Sequence, residues 1–146
     1  MRDEEHYFPL SAISAGVILI ILATTYLMHP IPLSVVIDYF RDMEIHRTLL
    51  RPPAELLTLV VFFFNALGVW QLVLSGLRIV FQHSVRRALE DVTGAFFSFF
   101  TAFLLTNYAI DVFTWQTALG YFVIGIGALV IINGIIHFAF PRRRPF

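Results

Sequence analysis

The chain has 146 residues, 58% of them hydrophobic and 14% charged, whereas about a quarter of the residues in a soluble domain are charged. Its formal net charge is zero, which removes the basic footprint of a nucleic-acid-binding protein; with no cysteine there are no disulfides, thiolate metal sites, iron–sulfur clusters or cysteine nucleophiles. Lipid is the solvent that fits this composition. At ~20 apolar residues per crossing, the length accommodates a single transmembrane domain, residues 1–146, and leaves no room for a soluble catalytic module.

The first apolar run, Leu10 to Met28, is long enough to span. The preceding Arg2-Asp3-Glu4-Glu5 is net negative where a secretory signal needs a positive segment, so this run reads as a retained helix. The connection from His29 to Glu55 is bracketed by Pro30 and Pro32 at one end and Pro52 and Pro53 at the other. Between them Leu33, Val36, Tyr39, Phe40, Met43 and Leu50 share one helical face, opposite Asp38, Arg41, Asp42 and Thr48. The pattern predicts a short interfacial helix over about 34–50, capped by Ser34, with Asp38–Arg41 and Glu44–Arg47 as surface pairs.

Three further spans follow, at about 56–81, 92–110 and 113–140. In the second span Gly68, Gln71, Ser75 and Arg78 share a face with Asn65 on its flank. In the third, Asp91, Gly94, Ala95, Ser98, Ala102 and Ala109 form one side, edged by Glu90 and Thr101, while Phe96, Phe97, Phe100 and Phe103 form the other. Small and polar faces are expected to pack inward and the phenyl rings to meet lipid, because membrane helices associate through close backbone approach and interhelical hydrogen bonds. The fourth span repeats Gly120, Gly127 and Gly134 every seven residues, which makes a seam for another helix; Ser11, Ala12, Ala15, Gly16 and Ala23 make a similar arc on the first. The expected fold is an all-α four-transmembrane-helix bundle with an interfacial helix between the first and second spans.

Orientation follows from the arginines, which are enriched in cytoplasmic loops. Arg2, Arg78, Arg86, Arg87, Arg142, Arg143 and Arg144 lie on one side, against Arg41, Arg47 and Arg51 on the other, so both termini are expected in the cytoplasm of a cell-membrane protein. Tyr7, Phe8, Tyr108 and Trp115 fit an interfacial aromatic belt.

Chemistry is sparse. Arg78, Glu90 and Asp91 meet near one membrane surface and read as a structural ion pair or, alternatively, a relay. His83 and His137 end their spans on the same side; both read as interfacial histidines rather than haem or metal ligands, since no carboxylate is spaced to orient them. His6, His29 and His46 read as water-facing. Asn65, Asn107 and Asn133 read as helix glue or, alternatively, as the lining of a polar path, and Thr58, Ser98 and Thr101 share that ambiguity, with bonding to their own backbone as a further option. There is no nucleophile elbow, phosphate loop, zinc-protease pair or dinucleotide fingerprint, so no enzyme and no cofactor are expected. The expected function is a non-catalytic accessory or assembly subunit whose partners are the bilayer and other membrane subunits or its own copies. The alternative is a small homo-oligomeric channel or transporter with a polar path along the second and third spans.

Overall fold

The computed structural model describes residues 10–47 and 50–140. Arg2, Tyr7, Phe8, Thr48, Arg142, Arg143, Arg144, the acidic leader, His6 and the side chain of Ser11 lie outside the described residues, and so do the expectations placed on them. Among the described residues the secondary structure is five helices: α1 Leu10–Met28, α2 Leu33–His46, α3 Ala54–Gln82, α4 Val85–Ala109 and α5 Trp115–Ala139.

Three of these, α3, α4 and α5, are long and apolar enough to cross a bilayer, and the bent pair formed by Ala12–Met28 and α2 makes a fourth candidate. The two members of that pair meet at 93°. Proline sets the break: Pro30 and Pro32 lack the N–H that would continue α1, and a residue preceding proline is pushed towards extended backbone. α2 therefore starts at Leu33 with Pro32 as its N-cap, and no side chain caps it, so the expected Ser34 cap is not formed. It ends at His46, four residues short of the expectation, because Arg47 adopts a left-handed φ of 50°. Arg47 is thereby taken off the helix surface and away from Glu44; Asp38 and Arg41 approach to 4.0 Å.

Charged residues extend the later helices beyond their apolar runs. α4 begins at Val85 rather than 92, taking in Arg86, Arg87, Glu90 and Asp91, since backbone hydrogen bonding continues through a polar first turn that a hydropathy reading stops short of. α3 ends where His83 takes φ 48° and the Ser84 N–H returns to the Arg78 carbonyl at 3.3 Å. Non-glycine residues at positive φ cost on the order of 1 kcal/mol. His83→Gly is expected to raise the denaturation midpoint by the equivalent of about 0.5–1 kcal/mol, read by unfolding in mixed micelles. Thr114 caps α5, its hydroxyl accepting the Thr117 N–H at 3.3 Å.

Packing follows chain order: α1 lies on α3, α3 along α4, and α4 against α5. The α3–α4 interface is the tight one, with Ala88, Ala95, Ser98, Thr101, Ala102 and Leu104 of α4 and Gly68, Leu74 and Ser75 of α3 buried. Gly68 is needed there, because a Cβ would come within 2.9 Å of the Phe99 ring.

One expectation about faces, that Phe97 and Phe100 meet lipid, is corrected, and two small-residue stripes face away from the described residues. α1 turns Leu10, Ser14, Val17, Ile21 and Thr25 inward and leaves Ala12, Ala15, Gly16 and Ala23 exposed. In a helix apolar all round, small residues do not choose the packed face; the Trp70 indole N–H donating to Ser14 Oγ at 3.2 Å marks it instead. The seam of Gly120, Gly127 and Gly134 likewise faces away from the described residues, with nothing within 4 Å of a Cβ at any of the three. The glycine that α5 uses internally is Gly125, where a Cβ would meet Phe100 at 2.6 Å and Phe97 at 3.5 Å. Phe97 and Phe100 accordingly pack towards α5, with Phe97 and Phe122 ring centroids 5.4 Å apart, whereas Phe96 and Phe103 are exposed.

Candidate functional site

Polar side chains gather in three places along the α3–α4–α5 stack. At mid-helix, Gln71 of α3 fills the space left by Gly94 of α4, where a Cβ would sit 3.2 Å from its amide. Ser98 donates a hydrogen bond of 3.2 Å to Gln71 Oε1 or one of 3.0 Å to the Gly94 carbonyl, a single hydroxyl proton serving one at a time. Thr101 and Thr58 return to their own backbones, at Phe97 and Ala54, and so do Asn65 and Asn107, at Val61 and Phe103. Ser75, Ser98 and Thr101 are buried, so this arrangement closes the two helices on each other. Interhelical hydrogen bonds in membranes average about 0.6 kcal/mol, and Gln71→Leu is expected to cost no more than about 1 kcal/mol in mixed-micelle unfolding while leaving the fold intact.

At the end formed by the C-terminus of α3, the N-terminus of α4 and the C-terminus of α5, charges converge. Arg78 Nε lies 3.0 Å from Asp91 Oδ2, and the two side chains are only 21% and 13% exposed. The N–H does not point along that line, so the contact is an ionic one and not a directed hydrogen bond. Glu90 turns instead to Arg86, one helical turn earlier, at 3.0 Å. The same Oε1 is 4.0 Å from His137 Nε2 of α5, while His137 Nδ1 is 2.8 Å from the Asn133 carbonyl. A carboxylate does therefore stand beside His137, contrary to the spacing argument, because packing of α5 on α4 joins residues 47 positions apart. His83 is held as the left-handed cap of α3. Gln82 Oε1 and Asn133 Oδ1 are buried at this end without hydrogen-bond partners. No group of three or more His, Asp or Glu among the described residues is placed to hold a metal ion.

The opposite end carries a site with no sequence signal. Arg51, in the connection before α3, reaches Asp111 Oδ1 at 2.6 Å and the Ala109 carbonyl at 2.6 Å, and lies 5.7 Å from the centre of the Tyr108 ring. It closes the carbonyl end of α4, where a cation is favoured. Sixty residues of separation hide the pairing from any local pattern. Beneath it a groove of about 420 Å³ runs between α3, α4 and α5, lined by Phe64, Thr101, Tyr108, Trp115, Ala118 and Phe122 among others, with Tyr39 of α2 and Leu50 over one end. His29 is not simply water-facing: its ring meets Phe62 edge-on, centroids 5.4 Å apart.

These observations define a helical protein with up to four candidate membrane spans, consistent with a multi-pass protein in contact with lipid. No family model matches the chain, and neither the curated proteins nor the solved structures contain a match.

Proposed function

We propose that the chain is a non-catalytic four-span membrane protein that serves as a helix-packing accessory or assembly subunit, with α1 as the first span and α2 lying flat on the outer surface. One observation carries this reading: the seven-residue glycine seam of α5 is open at Gly120, Gly127 and Gly134, with nothing among the described residues within 4 Å of a Cβ at any of them. Glycine in a helix interior costs about 1 kcal/mol relative to alanine, so three in register with nothing packed on them fit a face shaped for a helix from outside the chain.

α2 supports the flat placement. Val35, Val36, Tyr39 and Met43 turn towards the protein, while the adjoining apolar arc of Leu33, Ile37 and Phe40 is exposed, at 70%, 47% and 58%. Asp38, Arg41 and Asp42 occupy the remaining side, with Glu44 in the exposed apolar arc between Leu33 and Ile37, a pattern compatible with a helix set in the plane of an interface. Both ends are placed in the cytoplasm by Arg2 and the Arg142–Arg144 triplet, since the described arginines alone divide evenly, with Arg78, Arg86 and Arg87 against Arg41, Arg47 and Arg51.

The alternative, a homo-oligomeric channel lined by α3 and α4, needs their polar residues to be wet. Gln71, Ser75, Ser98 and Thr101 instead lie within the α3–α4 contact, which speaks against a path there. Extraction from the native membrane in mild detergent followed by native mass spectrometry tests the proposal. Foreign subunits in fixed proportion support it; a homo-oligomer alone that conducts ions in liposomes overturns it.

A further inference from the structure

We propose that the groove between α3, α4 and α5 is a binding site for one acyl chain of a phospholipid, an inference that rests on the membrane reading above. The groove holds about 420 Å³, within the range of small-molecule pockets. Its walls are ring faces and aliphatic chains, chiefly Phe64, Tyr108, Trp115 and Phe122; of its polar side chains Tyr39 donates to the Leu50 carbonyl at 3.0 Å and Thr101 to Phe97, which leaves the Tyr108 hydroxyl and the Trp115 N–H. A polar ligand would find only those two groups to replace its water, so the bulk of the occupant is hydrocarbon.

The shape narrows the choice. From Thr101 to Tyr108 the wall follows α4 for about 10 Å, two-thirds of the ~15 Å depth of one leaflet. At the roofed end the Arg51 guanidinium stands over Tyr108 and is paired with Asp111, so both signs of charge are present there, which suits a zwitterionic headgroup rather than an anionic one. The chain would enter sideways from the bilayer, with its headgroup held near Arg51 and its tail along Ala118 and Phe122.

Trp115 is a built-in reporter. In a Trp70→Phe background it is the only tryptophan. Delipidated protein in detergent is titrated with phosphatidylcholine brominated on one acyl chain, and a Leu19→Trp reporter in a Trp70→Phe, Trp115→Phe background serves as an ordinary lipid-facing control, since Leu19 is 66% exposed on α1. The expected result is Trp115 quenching that saturates at one lipid per chain, weakened about tenfold or more by Ala118→Phe, and unsaturable quenching at position 19. Unsaturable quenching at both positions overturns the site while leaving the membrane reading in place; quenching at neither removes both. Saturation in the parent protein decides the question even where Ala118→Phe does not fold. Native mass spectrometry showing a non-lipid compound at one per chain, displaced by no phospholipid, also overturns it.

Discussion

Gly127→Leu is expected to leave the chain folded, with unchanged helicity and unfolding midpoint, while weakening association with its partner about tenfold or more. The side chain enters open space within the chain, where nothing lies within 4 Å of its Cβ, so the monomer has nothing to lose. The seam beyond it depends on close backbone approach, and a leucine there holds a neighbouring helix off by the width of its side chain. Gly125→Leu should do the reverse. Its Cβ alone comes to 2.6 Å from Phe100, and overpacking of this kind costs about 1–3 kcal/mol, so the α4–α5 contact itself should loosen. Native mass spectrometry reads the first effect and unfolding in mixed micelles the second. If Gly127→Leu left the partner bound, or destabilised the isolated chain as Gly125→Leu does, the seam would not be an interface.

The second large effect concerns the Arg78–Asp91 contact. Asp91→Asn strands a guanidinium that is only 21% exposed, which in a fully buried pair costs about 3–5 kcal/mol. Helix ends moderate this. α3, at 29 residues, is about 43 Å long against ~30 Å of hydrocarbon, so its ends overhang and Arg78 lies close to headgroup depth. A loss of about 2 kcal/mol is the expected result after that screening. Removing both charges, as Arg78→Gln with Asp91→Asn, should restore part of it, and the double-mutant cycle measures the coupling. A single Asp91→Asn variant that is fully stable yet functionally dead would instead identify the aspartate as a relay.

The sequence made α3 and α4 legible because small and polar residues gather on one face of each. Gly68, Gln71 and Ser75 stand out in an otherwise apolar helix, as do Gly94 and Ser98, and two such faces in adjacent helices have only each other to satisfy. α1 and α5 gave no such guidance. Apolar residues surround both helices, so a stripe of small ones marks a place where something can approach without saying whether it belongs to the same chain. α2 was visible in its period, but its end was not, since Arg47 in a left-handed conformation carries none of the glycine or asparagine that announces such a cap. The Arg51–Asp111 closure, and the approach of His137 to Glu90, depend on tertiary contacts that no spacing rule reaches.

Because α1 and α4 rest on α3, and α5 on α4, the order of packing is also an order of birth. The α3–α4 hairpin needs nothing that follows it, and its short connection keeps the entropy of closure small. During synthesis it can close while α5 is still being made, and α5 then arrives at a wall already built by Phe97 and Phe100. Its outward glycines thus form after the α3–α4 hairpin, so any helix that packs on them would meet that hairpin already closed.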